Sequence, residues 1–365
     1  MIKISEINER VRLPLSLSRR GLFRGGLSSG AAMLALGALG RSESAFAASP
    51  SGGLPSHPEW KFVFVNHVTT NPFFVPTQYG IADACSAFGC TYQWTGSQTS
   101  VASQMVDAMN TAISEKVDGI AVSLVDLHAF NEPTKRALEA GIPVFSYNAD
   151  AQGNDRLAYI GQDLYKAGEE LGRRIVDLVS EGPVVGFIAT PGQLNIQPRL
   201  NGAMAAIKAS GRKITLSEVA TGPTVNEEVS AVDAYYVGHK DVKGMFAVDA
   251  GSTMAVGETM KKYGLASKGV HAGGFDLLPQ TLDAIAAGNL DFTIDQQPYL
   301  QGFYTLMEMA MFKYSGGLVG PAEINTGLKF VTKTDVEPYL KTKSRYEGSS
   351  SAEEVIPRTG SIAAA

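Results

Sequence analysis

The sequence is poor in residues that commonly build metal centres and catalytic sites. It holds only two cysteines, Cys85 and Cys90, and five histidines in 365 residues. From Lys61 onward there is no H-E-x-x-H helix, G-x-S-x-G elbow or GKS/GKT phosphate loop. We therefore expect no metal, no cofactor and no catalytic residue. An enzyme is the main rival interpretation, and hydrolysis by the purified protein would support it.

Positive charge is also scarce. The chain carries 31 Lys and Arg against 36 Asp and Glu, a formal net charge of -5. The basic residues are scattered rather than clustered, so the chain offers no long-range attraction for a phosphate backbone. We expect no nucleic-acid partner. The length and the 44% hydrophobic content allow a substantial core divided between two lobes.

Long apolar runs are missing as well, because no stretch after the N-terminus reaches the roughly 18 residues of a spanning helix. The N-terminus instead holds a twin-arginine pair, Arg19-Arg20, an uncharged run over 25–40 and an A-x-A pattern at 45–47. This order predicts a twin-arginine export signal over residues 1–47 and a linker over 48–60. We expect a soluble periplasmic protein that begins near Ala48. An ordinary amphipathic helix is the alternative.

The two cysteines lie five positions apart. Export would place them in an oxidising compartment, where a local disulfide persists. We predict that Cys85 and Cys90 form a disulfide between the first helix and the second strand. Two free buried thiols are the alternative.

From Lys61 the chain alternates short β-rich runs with amphipathic helical stretches, the pattern of parallel sheets wound with helices. The first series, from Lys61 to Tyr147, predicts one α/β lobe, and the series over 164–275 predicts a second. A helix, a strand, a long helix and an extended run near 328–331 follow. The tail from about Lys341 is polar and Ser-rich, and we predict that it is disordered.

Polar or aromatic residues follow several predicted strands, where sheets of this type bind ligands. Asp, Asn, Arg and Gln can bind the hydroxyl groups of a sugar, and aromatic rings can cover its C–H faces. Any one of these residues could instead cap a helix or form a turn. The candidates by this position are Asn66, His67, Asn71, Phe73, Ser123, Asp126, Asn148, Asp150, Asp249, Asp276, Asp295 and Gln296.

Short motifs in a fixed order carry a family resemblance. They include NPFF at 71–74, DGIAVS at 118–123, YIGQD at 159–163, RLNG at 199–202, FAVDAGSTMAVG from 246, GGFD at 273–276 and TIDQQP at 293–298. From about Lys61 to Tyr339 the chain resembles the ribose-binding-like group of type I periplasmic sugar-binding proteins of ABC importers.

The resemblance implies two doubly wound parallel-sheet α/β lobes joined by a three-crossing hinge, the type I periplasmic binding protein fold. The crossings fall near 161–162, 296–297 and 325–326. The N-terminal lobe then comprises 61–161 plus 297–325, and the C-terminal lobe 162–296 plus 326–340, before the tail at 341–365. Lobes of this kind close around a ligand by rotation.

Carried over residue by residue, the resemblance implies a hydrogen bond from Asn71, aromatic cover by Phe73 and Phe74, and a hydroxyl clamp at Arg199. Asp249 and Asp276 would accept hydrogen bonds, Gln296 would supply an amide, and Asn66 or His67 could add a contact. The sequence departs from the family at Asn148-Ala149, where ribose binders carry an acidic residue followed by Arg. This change argues against ribose and favours a sugar alcohol, a tetritol or pentitol, as the first choice of ligand, with a pentose as the further option.

The resemblance also implies the partners: a small sugar or polyol and the membrane permease of an ABC importer, with the binding protein a monomer. A sugar receptor for a chemotaxis or sensor protein is an alternative. A sugar-responsive transcription regulator shares the fold but needs a helix-turn-helix before the first strand. That region here holds the predicted signal and linker.

Overall fold

The computed structural model describes residues 54–342, with side chains through Leu340. The predicted export signal, the first part of the predicted linker and the predicted tail from residue 343 lie outside the described residues. Within them, no helix combines the length and apolar character needed to cross a membrane.

The first sheet has six parallel strands in the order β11-β5-β4-β3-β1-β2. Strand β1 (WKFVFVN) is buried at six of its seven residues, as expected for a parallel strand covered on both faces. The six strands of the first sheet are β1 (Trp60–Asn66), β2 (Cys90–Gly96), β3 (Gly119–Val122), β4 (Val144–Tyr147), β5 (Tyr159–Gly161) and β11 (Glu323–Asn325).

Four helices accompany this sheet and form the N-terminal lobe with it. They are α1 (Val75–Phe88), α2 (Ala102–Ser114), α3 (Asn131–Glu139) and α9 (Pro298–Ser315). Helices α1 and α9 come into backbone contact at two glycines. A Cβ at Gly80 would lie 2.1 Å from the Tyr299 carbonyl oxygen, and one at Gly302 would lie 2.1 Å from that of Thr77. Only glycine fits there.

The second sheet has the order β12-β10-β9-β8-β6-β7 and is parallel except for its edge strand β12, which runs antiparallel to β10. The extended run expected near residue 328 is therefore an antiparallel edge on a sheet predicted as parallel. The strands are β6 (Gly182–Ile188), β7 (Ile214–Ala220), β8 (Gly244–Ala247), β9 (His271–Phe275), β10 (Phe292–Asp295) and β12 (Lys329–Thr332).

Six helices belong to this C-terminal lobe. They are α4 (Leu164–Leu178), α5 (Gln197–Ser210), α6 (Val225–Gly238), α7 (Ala250–Tyr263), α8 (Pro279–Ala286) and α10 (Glu337–Thr342). Glycines again allow close contact, here between α4 and α5, because a Cβ at Gly168 would lie 2.0 Å from the Arg199 carbonyl oxygen. This contact fixes the start of α5.

The chain crosses between the sheets three times, after β5, β10 and β11. The crossings are hydrogen-bonded to one another. The Thr326 amide donates to the Gly161 carbonyl oxygen (2.9 Å), Gln162 Nε2 donates to that of Gly327 (3.1 Å), and Gln297 Nε2 donates to that of Thr326 (2.8 Å). The predicted two-lobed fold with a three-crossing hinge is confirmed.

The predicted disulfide is wrong for this structure, in which Cys85 and Cys90 are free cysteines. Their Sγ atoms are 3.2 Å apart, well beyond the roughly 2.05 Å of an S–S bond. The last turn of α1 brings the two sulfurs into contact without covalent bonding. Cys85 is buried in the same apolar cluster as Trp60, and Cys90 packs against that cluster.

Three elements differ from the sequence expectations. Strands β5 and β11 were not predicted, since three residues each carry too little periodicity to be recognised. The tail predicted as disordered from 341 begins inside helix α10, which extends to Thr342.

Candidate functional site

A cavity lies between the lobes, at the carboxyl ends of strands from both sheets. Nine of the ten residues named with the family resemblance, Asn148 included, line it, although they are spread over more than 200 positions. The nine are His67, Asn71, Phe73, Phe74, Asn148, Arg199, Asp249, Asp276 and Gln296. Seven of them follow strands, as the strand-end rule predicts, whereas Phe74 and Arg199 are implied by the family resemblance. Four other strand-end candidates do not line the cavity: Ser123, Asp126, Asp150 and Asp295.

The loop after β1 supplies the first group. Asn71 caps a short 3₁₀ helix (Pro72–Phe74), with its Oδ1 accepting from the Phe73 amide at 2.9 Å. This cap holds the Phe73 and Phe74 rings edge to face, with centroids 4.7 Å apart, against the cavity. The amide nitrogen of Asn71 is not used by the cap.

His67 spans the cavity between the lobes. Its Nδ1 lies 3.1 Å from Ser123 Oγ, and its Nε2 lies 3.1 Å from Nδ2 of Asn195 in the C-terminal lobe. Burial lowers the pKa of His67 to about 3, so the ring is neutral at physiological pH. A neutral ring that accepts from Asn195 at Nε2 donates from Nδ1 to Ser123.

Asn148 and Asp276 share a backbone feature. Each directly follows a strand, and both have left-handed φ angles, 63° and 76° respectively. Asn and Asp are enriched among the non-glycine residues in this region. Such conformations are concentrated at binding sites, where the surrounding fold enforces them.

The cavity has an N-terminal wall and a C-terminal wall, which are the lining residues that each lobe contributes. Arg199 lies in the C-terminal wall and is only 2% exposed. Its Nη1 donates to the Val248 carbonyl oxygen (2.9 Å), Nη2 donates to Gln162 Oε1 (3.2 Å), and the guanidinium stacks 4.1 Å over the Phe275 ring. Its Nε is buried without a hydrogen-bond partner. Burial lowers the pKa of Arg199, and the Asp276 carboxylate opposes that shift.

A chain of side-chain hydrogen bonds, here called the relay, runs through three amides to a carboxyl group and joins the two walls. Asn148 Nδ2 donates to Gln301 Oε1 (3.2 Å), and Gln301 Nε2 donates to Gln296 Oε1 (3.0 Å). Gln296 Nε2 then donates to Asp276 Oδ1 at 2.7 Å. The relay fixes the orientation of each amide. Burial raises the pKa of Asp276 to about 7, with Arg199 and Gln296 opposing the rise.

Asn66 is the exception among the ten residues named with the family resemblance, because it does not line the cavity. Its Nδ2 donates to the Tyr147 hydroxyl (2.9 Å), and its Oδ1 accepts from the Val68 amide (2.8 Å). Both ends of the amide are therefore used inside the N-terminal lobe. The side chain shapes the turn after β1 that presents His67.

Sequence reasoning missed several cavity residues. Ser100, Gln193 and Asn195 line it and connect the lobes: Ser100 Oγ donates to Gln193 Oε1 (2.6 Å), and Gln193 Nε2 donates to the Ser100 carbonyl oxygen (3.0 Å). They lie in loops with no motif. Glu228, at the start of α6, also lines the cavity. Its signal, an acidic residue on the buried side of a helix, resembles an ordinary helix-start carboxylate.

No group of three or more His, Cys, Asp or Glu side chains suited to holding a metal ion occurs within residues 54–340. The cavity is instead lined by amides, carboxyls, one guanidinium and aromatic rings. These groups can bind several hydroxyl groups and cover an apolar face of one small molecule.

Two lobes that enclose a polar and aromatic cavity define a hinged solute-binding protein. Residues 62–314 match the model of the periplasmic binding protein domain, and the chain belongs to that family. The xylose/arabinose-binding protein XylF of Sulfolobus acidocaldarius is 51% identical over 325 residues, covering 85% of this chain and 80% of the relative.

More distant relatives share the same architecture. The ribose import binding protein RbsB of Escherichia coli is 24% identical over 230 residues, 62% of this chain and 76% of its own length. A solved ABC-transporter solute-binding protein from Burkholderia graminis, in complex with D-arabinose, superimposes with a TM-score of 0.73 at 26% identity. It covers 79% of this chain and 100% of its own.

Proposed function

We propose that this protein is the substrate-binding component of an ABC importer. It captures a pentose between its two lobes and delivers the pentose to the membrane permease of the importer. The observation that carries the proposal is the cavity itself. Hydroxyl-binding side chains from two sheets converge there with two aromatic rings. The same side chains would be a poor fit for an apolar ligand, because their polar groups would be buried without partners.

The relatives narrow the ligand class. A protein that is 51% identical over most of the chain is a xylose/arabinose-binding protein, and a structural relative at 26% identity holds D-arabinose. Both support a pentose over the tetritol or pentitol that the Asn148-Ala149 segment favoured. The proposed contacts are Asn71, Phe73, Phe74, Asn148, Arg199, Asp249, Asp276 and Gln296, with His67 as an additional one.

A thermal-shift and calorimetric panel tests the ligand class. The purified protein from residue 48 is titrated with D-xylose, L-arabinose, D-arabinose, D-ribose, hexoses, alditols and inositols. We expect at least one pentose to raise the unfolding midpoint and to bind more tightly than every alditol, because a ligand that binds only the folded state stabilises it. Selective binding of an alditol would overturn the pentose assignment, and binding of no polyol would overturn the proposal.

The delivery step requires export and lobe movement. We infer that residues 1–47 direct export through the twin-arginine route into the periplasm. The lobes, 61–161 with 297–325 and 162–296 with 326–340, would rotate about the three crossings. Replacing Arg19 and Arg20 by Lys should retain the protein in the cytoplasm, as measured by cell fractionation. Unchanged export would contradict the signal assignment. A receptor role for a sensor protein uses the same closed form.

A further inference from the structure

Glu228 is a buried acid for which the proposed sugar contacts leave no role. It lies in the first turn of α6, is only 3% exposed and lines the cavity beside Asp249. Within residues 54–340 no salt bridge joins it to a basic side chain. The cation in this wall, Arg199, donates to Val248 and Gln162 instead. A buried carboxylate without a basic partner is costly.

Asp249 shows which of the two acids carries the proton. Its Oδ1 accepts from the Ser252 amide (2.8 Å), and its Oδ2 accepts from the Ala189 amide (2.9 Å). It is also the N-cap of α7, where the helix dipole favours a negative charge. A hydrogen on either Asp249 oxygen would compete with an accepted backbone hydrogen bond, whereas Glu228 Oε2 has no hydrogen-bond partner among the described residues. The proton of the hydrogen bond between the Glu228 and Asp249 side chains therefore belongs on Glu228.

The electrostatics agree with this assignment. Burial raises the pKa of Glu228 to about 10, and the adjacent Asp249 adds to the rise through its charge and a side-chain hydrogen bond. Repulsion by Glu227 on the same helix adds further. A side-chain hydrogen bond to Ser252, at the start of α7, opposes this rise in pKa. At neutral pH the Glu228 side chain is a neutral carboxylic acid, which both donates and accepts hydrogen bonds.

The neighbouring helix leaves room for this carboxyl group. A Cβ at Gly251, the second residue of α7, would lie 1.7 Å from Glu228 Oε2, so any larger residue would displace the acid. The same Oε2 is buried and has no hydrogen-bond partner in the described part of the chain. The side chain lines the cavity, and a buried polar atom without a partner at such a place calls for one, which a ligand hydroxyl can supply.

We infer that Glu228 is a ligand-selecting residue, which presents a neutral carboxyl group to one hydroxyl of the bound sugar. This inference rests on the proposed function. A neutral acid can donate to a hydroxyl oxygen and accept from its hydrogen, whereas a carboxylate can only accept. Because a hydroxyl of the opposite configuration would leave the acid unpaired, Glu228 discriminates between pentoses that differ at one carbon.

Three variants test the inference by calorimetry at pH 7 with D-xylose, L-arabinose and D-arabinose. Glu228→Gln keeps the shape, the neutral charge and both hydrogen-bonding functions, and it should bind within about threefold of the wild type. Glu228→Met keeps the reach but loses both functions. It should weaken the best-bound sugar about tenfold or more and change the ratio of affinities among the three. Glu227→Gln removes an exposed charge one position away. It should change neither the affinity for the best-bound sugar nor the ratio of affinities among the three sugars.

A second readout follows the proton. The unfolded chain releases the Glu228 proton near pH 4.5, whereas the folded chain keeps it until about pH 10. The contribution of this acid to stability is therefore full below pH 4.5 and is lost as the pH rises towards 10. Glu228→Gln lacks this dependence. The difference in unfolding midpoint, variant minus wild type, should therefore increase from pH 5 to pH 8.

The outcomes are distinct. If the wild type binds none of the three sugars, the proposed function fails and the selecting role fails with it. If the wild type binds but Glu228→Met keeps every affinity, or weakens all three equally with a lowered midpoint, Glu228 is structural and the inference is overturned. A large loss in Glu228→Gln would mean an ionised acid and would also overturn it. Should Glu228→Met fail to fold, Glu228→Asp, which shortens the acid, replaces it with the same expected loss.

Discussion

The two walls of the cavity differ in charge. The N-terminal lobe lines it with a neutral histidine, two amides, a hydroxyl and aromatic rings, whereas the C-terminal lobe supplies Arg199, Asp249, Asp276 and the acid Glu228. All the charged groups thus share one lobe and balance one another there. From this difference we infer that the C-terminal wall selects the sugar and that the N-terminal wall covers it.

The hydrogen bonds explain this division. Arg199 donates to Val248, a residue of its own lobe, and to Gln162 at the first crossing, and Asp249 accepts from backbone amides of its own lobe. Their desolvation is therefore compensated largely within one lobe, independently of lobe rotation. The N-terminal wall exposes no charge that closure would have to bury. Closing this wall over a sugar avoids that electrostatic cost.

The largest expected effect is that of Arg199→Ala. Its removal leaves buried acceptors, including the Asp276 carboxylate, without their cation. We expect pentose binding to weaken by about 3 kcal/mol, roughly a hundredfold, with a lower unfolding midpoint. Calorimetry measures the affinity, and Arg173→Ala, which removes an exposed arginine from α4, is the matched control. Equal affinities for the two variants would contradict the charged-wall interpretation.

The next effect concerns Asp276. Because its pKa is raised to about 7, the fraction in the carboxylate form increases between pH 6 and pH 8. A carboxylate accepts stronger hydrogen bonds from sugar hydroxyls than the neutral acid does, so pentose affinity should rise over this range. Asp276→Asn should bind about tenfold more weakly at pH 8 and lose the pH dependence. A wild-type affinity that is flat from pH 6 to pH 8 would be the contrary result.

A smaller effect is expected for the covering wall. Phe73→Ala removes one aromatic face from the cavity and should weaken every pentose by about 1 kcal/mol, or about fivefold, leaving the order of preference unchanged. The comparison with Glu228→Met sharpens the division of labour, because only the C-terminal variant should change selectivity. Parallel titrations with the same three pentoses measure both. A changed preference in Phe73→Ala would place selection in both walls.

The smallest effect concerns the contact between Ser100 and Gln193 across the cleft. Gln193→Ala removes these two hydrogen bonds between the lobes and should destabilise the closed form relative to the open one. We expect a loss of pentose affinity of about twofold to fivefold, carried by faster dissociation. Stopped-flow kinetics measures the rates, with Gln280→Ala, which removes an exposed glutamine from α8, as the control. Equal dissociation rates would exclude a closing role for this contact.

Parallel strands project their carboxyl ends to one edge of a sheet, and for this reason the strand-end rule selected Asn71 and Asp276, which line one cavity. The sequence could not place Gln193 or Asn195, since a loop that reaches across a cleft carries no periodicity. Asn66 follows the same strand as His67, yet its amide is used by Tyr147 and Val68, which only the folded chain shows.

The fold expectations failed where short-range pattern was the only guide. Cys85 and Cys90 are close in sequence and in space, but spacing cannot distinguish thiols in contact from a bond. Strand β11 consists of three residues, two of them exposed, and is defined by pairing with β5 rather than by its own composition. Contacts between distant segments decide such elements.

The central claim, that one pentose is held between two lobes that close on it, is tested most directly by small-angle X-ray scattering. The wild-type protein is measured alone and with a saturating concentration of the pentose that binds most tightly in calorimetry. Because the ligand contacts both walls, it favours the closed form, and the radius of gyration should decrease on binding. An unchanged scattering curve at full saturation would contradict the account.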